Sequence, residues 1–160
     1  MAYEVITREI PDQRVVSQRG LVIRAGLSAY IGSSYDALMA GLGPLGIEPN
    51  GEPVVIYHEW SPTRIDVEVC LPVGTARPIP SEFEDRVIPA ATVAQTLHVG
   101  RYEELPGAYR ALETWIRDND YEEVGPTRER YLVGPGSDAP ETEYRTLIET
   151  PVAKALVTAG

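Results

Sequence analysis

The sequence is poor in the groups that most often carry chemistry. It has one cysteine, Cys70, and two histidines, His58 and His98. A lone thiol cannot close an internal disulfide, which fits a reducing compartment. With only these two imidazoles, the sequence gives no basis for assigning a metal-ligand set or a catalytic triad, so no metal and no cofactor is expected, and both histidines and Cys70 read as structural. There is no Gly-x-Ser-x-Gly elbow and no phosphate-cradling glycine loop. Positive charge is scarce as well: 14 Lys and Arg against 24 Asp and Glu leave a formal net charge of -10. That argues against direct nucleic-acid binding, because neutralising phosphates takes clustered basic side chains. No apolar run approaches membrane-spanning length, and Met1 to Arg8 lacks the basic-then-apolar pattern of a secretory signal. The expectation is a cytoplasmic protein with no membrane partner.

What the sequence does have is a repetition. Arg8-Glu-Ile-Pro is echoed by Arg86-Val-Ile-Pro, Tyr35-x-Ala37-Leu38 by Tyr109-x-Ala111-Leu112, Gly51 and Tyr57 by Gly125 and Tyr131, and Pro72-Val73 by Pro151-Val152. The echoes lie 74 to 79 residues apart. A chain of 160 residues is long enough for one well-buried core, so the copies are expected to be halves of a single domain, 1–160. Repeat one spans about 1–73 and repeat two about 85–157, joined by a linker at about 74–84 that holds Gly74, Pro78, Pro80 and Ser81. Such a module packed on its own copy predicts pseudo-twofold symmetry, with a ligand cleft at the seam.

Periodicity predicts the same elements in each copy. In the first, Tyr3–Ile10 and Arg14–Ile23 are rich in Val and Ile around Pro11-Asp12 and read as strands. Ser28–Leu42 reads as a helix started by Ser28, with Tyr35, Leu38, Met39 and Leu42 on one face. Val54–Trp60 and Arg64–Leu71 read as a hairpin around Ser61-Pro62. Its second arm alternates Ile65, Val67, Val69 and Leu71 with Arg64, Asp66, Glu68 and Cys70, which predicts one core face and one charged face. In the second copy a strand is expected at Ala91–Val99, a helix from about Glu104 to Asn119, and strands at Arg128–Val133 and Glu143–Glu149. The helix carries a stripe of Leu105, Ala108, Leu112, Trp115 and Ile116. The fold class is therefore α+β: tandem strand-helix-strand-strand modules, an antiparallel sheet and two main helices.

An acid and aromatic rings gather in the second copy. Glu129 and Tyr131 share one side of a strand, and Tyr144, on the next strand, can come beside them. A lipophilic cation entering an apolar pocket loses hydration, and a partly buried carboxylate with aromatic faces offsets that loss. From spacing alone, Glu129 also reads as a solvated carboxylate paired with Arg128 or Arg130. Trp115 and Tyr109 sit on a stripe that serves either core or pocket, and Glu68 faces either the cleft or bulk water.

The run Gly100-Arg101-Tyr102-x-x-Leu105-Pro106-Gly107-Ala108-Tyr109 through Trp115-Ile116, then Gly125-Pro126-x-Arg128-Glu129-x-Tyr131 and Tyr144-Arg145-Thr146 ahead of Pro151-Val152, resembles the GyrI-like effector-binding family. The first copy is similar through Tyr57-His58 and Asp66-Val67-Glu68-Val69. The resemblance implies a bacterial effector-binding module built from two SHS2-type halves that binds small organic molecules, often amphipathic cations. In that family it commonly serves as the sensor of a transcription regulator. By resemblance Glu129 and Tyr144 match positions that contact cationic drugs, and the ligand-binding set becomes Glu129, Tyr131, Tyr144, Tyr57, Trp115 and Glu68. Many relatives have Thr-Glu where this chain has Thr146-Leu147, so one acid is missing; Glu149, two residues on, would sit roughly 7 Å away.

The reading that follows is a stand-alone sensor or sequestering protein rather than an enzyme, with no catalytic residue assigned. One alternative, from hydrolases in the same superfamily, is opening of strained-ring electrophiles by Glu129 and Tyr131 beside Trp115. A second is a protein partner, either a transcription regulator or DNA gyrase, met by the acidic surface.

Overall fold

The structure, a computed structural model, describes residues 2–74, 78–79 and 81–156. Part of the expected linker, residues 75–77 and 80, lies outside them, as do Met1 and Val157 at the ends of the two repeats. In chain order the elements are β1 (Val5–Ile10), β2 (Gln13–Val22), α1 (Leu27–Leu42), β3 (Val54–Trp60), β4 (Ile65–Pro72), β5 (Glu84–Ile88), β6 (Ala91–Val99), α2 (Leu105–Asp118), β7 (Tyr121–Glu123), β8 (Arg128–Val133) and β9 (Arg145–Lys154). The fold is α+β, antiparallel strands with two main helices packed on them.

The chain divides into two compact units, an α1 unit from residues 11–90 and an α2 unit from the described residues of 1–10 and 91–160. The strand order is β5-β2-β4-β3 in the α1 unit and β1-β6-β9-β8 in the α2 unit, where β7 also pairs with the far end of β9. The two orders are equivalent. Each copy's opening strand pairs with the second strand of the other copy: Arg8 of β1 lies opposite Val93, and Arg86 of β5 opposite Val15. The echo of Arg-x-Ile-Pro thus marks the same structural position twice. The Gly and Pro echoes have a packing reason: an added Cβ would stand 3.5 Å from Pro72 at Gly51 and 3.1 Å from Pro151 at Gly125.

Helix α1 is entered through a 3-10 turn at Arg24–Gly26, and its N-cap is Gly26 rather than Ser28. Its buried face is Ser34, Leu38 and Leu42, while Tyr35 and Met39 are each 37% exposed. Ala29, Gly32, Ala37 and Ala40 leave little apolar contrast around this helix, so spacing alone draws too wide a stripe. The helix ends through the 3-10 turn Gly43–Leu45 and left-handed Gly46 at φ 68°. Helix α2 buries Ala108, Leu112 and Ile116 against Ala94, Ile148 and Val152, and Tyr3, Val5 and Tyr109 pack at the margin.

Strand β4 departs from the expected core face and charged face. Glu68 is 1% exposed and Cys70 fully buried, so the side opposite Val67 and Val69 is also covered. It carries a cluster of Val15, Val54, Ile56, Cys70 and Ile88.

Candidate functional site

Strand β8 sorts its side chains by alternation. Arg128 and Arg130 take one side and Glu129 and Tyr131 the other. Nε of Arg128 and of Arg130 donate to Glu149 Oε1 at 3.0 and 2.7 Å, and Gln95 Nε2 donates to Glu149 Oε2 at 2.9 Å. Glu149 lies opposite Arg128 in the β8–β9 register, on that same side.

Glu129 is 5% exposed and is met by phenols. Tyr131 Oη donates to Oε1 at 2.6 Å, and Tyr109 Oη, from α2, donates to Oε2. Tyr102, on the 3-10 turn that leads into α2, joins the group. Its ring lies 6.0 Å from that of Tyr131 and 5.3 Å from that of Tyr144. Burial, then the neighbouring Tyr144 and the Glu129 carboxylate, push the Tyr102 phenol up to about 12. Tyr144 immediately precedes β9, and its carbonyl accepts from the Gly100 amide at 2.8 Å, which ties the two turns together. All these rings are partly buried, so each keeps some surface exposed to solvent.

The remaining candidates have other surroundings. Trp115 stacks on Tyr121, 5.6 Å between centroids, and Lys154 stands 4.3 Å over the Tyr121 ring. Trp115 also lines an open groove with Tyr3, Val5, Arg110 and Asp118. Tyr57 and Glu68 belong to the α1 unit. Tyr57 packs edge-on against Trp60 at 5.4 Å. Glu68 accepts from Arg86 through Nε at 2.7 Å and Nη2 at 2.6 Å, from Ser17 Oγ at 2.6 Å and from His58 Nε2 at 2.8 Å. Burial raises its carboxyl, but these bonds outweigh burial and hold it at about 2. His98 is likewise engaged, accepting from Tyr3 Oη at 2.8 Å and donating to the Arg101 carbonyl at 2.9 Å.

The structure thus brings together Glu129, Tyr131 and Tyr144, and adds Tyr102 and Tyr109, which spacing did not assign to a site. Tyr109 stands four residues after Leu105 and three before Leu112, a spacing shared by core and site residues alike. Among the described residues no group of His, Cys, Asp or Glu gathers as metal ligands, and no helix is long and apolar enough to cross a membrane.

The model of the GyrI-like small molecule binding domain matches residues 3–153. The chain belongs to the GyrI-like family. Among solved structures this GyrI-like chain is similar to the EcmrR C-terminal domain, with a TM-score of 0.81 and 29% identity over 97% of this chain and 100% of that one. It is also similar to EcmrR in the EcmrR–DNA complex in EcmrR-RPo, with a TM-score of 0.87 and 29% identity over 97% of this chain. There the GyrI-like chain spans 59% of the relative's length. SAV2435 bound to tetraphenylphosphonium shares the fold at 13% identity and a TM-score of 0.68, over 96% of this chain and 94% of that one. Comparison with curated proteins finds no match. This GyrI-like chain is a small-molecule binding domain.

Proposed function

We propose that the domain is an effector-binding protein whose ligand is an amphipathic organic cation held at Glu129 among Tyr102, Tyr109, Tyr131 and Tyr144. The observation that carries this reading is a carboxylate 5% exposed whose two oxygens accept from phenols. Phenols donate to the carboxylate oxygens, and ring faces attract positive charge. A cation whose charge is spread over apolar groups sheds water cheaply and gains both interactions. The relative found in a DNA complex and the more distant fold relative bound to tetraphenylphosphonium are consistent with this reading, and with a link to transcription regulation. In it, Glu68 is structural because guanidinium, imidazole and hydroxyl already hold its carboxylate.

Titrating tetraphenylphosphonium and uncharged triphenylphosphine oxide into the wild type, Glu129→Gln and Tyr144→Ala tests the proposal. Glu129→Gln is expected to weaken the cation by about tenfold or more, with little change for the neutral compound. Tyr144→Ala should weaken both, by about fivefold, through lost ring contact. Equal cation affinity in wild type and Glu129→Gln would remove Glu129 from the site.

A further inference from the structure

Thr146 lies on β9 opposite Tyr131 on one side and His98 on the other, so its side chain shares a face with both. Tyr144 is two residues back along the chain. Thr146 is fully buried, and among the described residues its Oγ1 has no hydrogen-bond partner. Buried hydroxyls are normally bonded, and one left unbonded is costly to hold. Here the hydroxyl is beside the very rings that surround Glu129. The ring of Tyr102 lies close to both Tyr131, opposite Thr146 in register, and Tyr144, two residues before it. Tyr102 follows Gly100, whose φ of 133° few other residues adopt.

Building on the Glu129 reading, we propose that Thr146 is a specificity-determining residue: its hydroxyl bonds a polar oxygen or nitrogen of the bound cation. The ligand class narrows accordingly. Glu129 lies opposite Ile148, one step diagonal from Thr146 on the same face, a separation of roughly 7–8 Å between Cα atoms. The favoured cation therefore carries its hydrogen-bonding atom about one aromatic ring away from the charge, as an aryl ketone, ether or amide on a cationic dye or phosphonium does. A cation with apolar substituents alone leaves the hydroxyl unbonded and forgoes that part of the affinity.

The test uses a matched pair of nearly equal shape, (4-acetylphenyl)triphenylphosphonium and (4-isopropylphenyl)triphenylphosphonium, titrated into wild type, Thr146→Val, Thr146→Ser and Glu129→Gln. The wild type is expected to prefer the acetyl compound by about fivefold, the worth of one neutral hydrogen bond. Thr146→Val should abolish the preference without weakening the isopropyl compound, and Thr146→Ser should keep it. A preference equal in wild type and Thr146→Val, or absent from the wild type while both cations still depend on Glu129, overturns the role of Thr146 and leaves the Glu129 reading intact. Failure of both cations to bind, or indifference of both to Glu129→Gln, overturns the Glu129 reading and this one with it.

Discussion

Glu68 in the α1 unit and Glu129 in the α2 unit are both strand carboxylates taken almost wholly out of water, at 1% and 5% exposure, and they are met by different chemistry. Glu68 meets a guanidinium in a two-pronged bond, with an imidazole and a hydroxyl completing its shell. Glu129 meets the phenols of Tyr109 and Tyr131. A bidentate arginine answers both the hydrogen-bonding and the charge of a carboxylate, so the pair is self-contained. Phenols donate hydrogen bonds, and their rings also offer a surface to positive charge. On the proposed reading, the difference separates a carboxylate that holds its unit together from one that meets a ligand. It also shows why neither burial nor residue type identifies a site without the partner's chemistry.

The harshest way to break the comparison is to place an acid where the α1 unit has none. Val55 lies opposite Val69, two residues before Tyr57, as Glu129 lies opposite Ile148, two residues before Tyr131. Val55 is 1% exposed. Val55→Glu is expected to cost about 4 kcal/mol or more in chemical denaturation, because the new carboxylate enters a packed aliphatic site. A loss below about 1 kcal/mol would mean that this position accommodates an acid as the equivalent position of the α2 unit does, and the contrast between the units would fail.

Next in size is the shell of Glu68. Its carboxyl falls from 4.5 to about 2 in the folded protein, so its contribution is complete above pH 4.5 and is lost as pH falls toward 2. That contribution is about 3 kcal/mol. Arg86→Leu should cost about 2–3 kcal/mol at pH 7, less than for a fully buried pair because Arg86 is 31% exposed. It should also shrink the loss between pH 4.5 and 2. Wild-type and Arg86→Leu denaturation curves of the same acid dependence would assign the acid sensitivity elsewhere.

Much of this contrast could be read in the sequence, though not its decisive part. Alternation along Arg128–Val133 puts Glu129 and Tyr131 on one face, where both are found, and β-branched residues mark Ala91–Val99 as the strand it is. Spacing reports which face a side chain takes; it does not report what covers that face. For that reason spacing leaves Glu68 facing either cleft or bulk water although it is buried under Arg86, Ser17 and His58, and it does not disclose that Arg128 and Arg130 both bond Glu149. Tyr102 escaped because its placement depends on a 3-10 turn, and Tyr109 because helical periodicity does not separate a core ring from a site ring. Strand β7 has three residues, too few for a pattern, and β5 is defined by pairing with β2, far earlier in the chain.

Glu129→Gln sharpens the comparison from the other side. The amide still accepts one phenol, and the cost of a buried charge disappears, so stability should change by no more than about 1 kcal/mol. The same substitution is expected to cost about tenfold or more in cation affinity. A stability loss as large as that of Arg86→Leu would place Glu129 with Glu68 among the carboxylates that hold the fold together.

The smallest expected effect has the opposite sign. Thr146→Val keeps the β-branched shape and removes a buried hydroxyl that has no hydrogen-bond partner among the described residues. Without ligand, the variant should gain about 1 kcal/mol and melt a few degrees higher, since an unmet polar atom is exchanged for a methyl group. On the proposed reading the atom is kept against stability because a bound molecule meets it, a trade between stability and function. Ligand should therefore narrow the gap: a cation with a polar arm raises the melting temperature of the wild type more than that of Thr146→Val, and an apolar cation raises both alike. A variant that melts lower than the wild type in the absence of ligand would show that the hydroxyl is already satisfied in solution, and nothing would then hold it in reserve for a ligand.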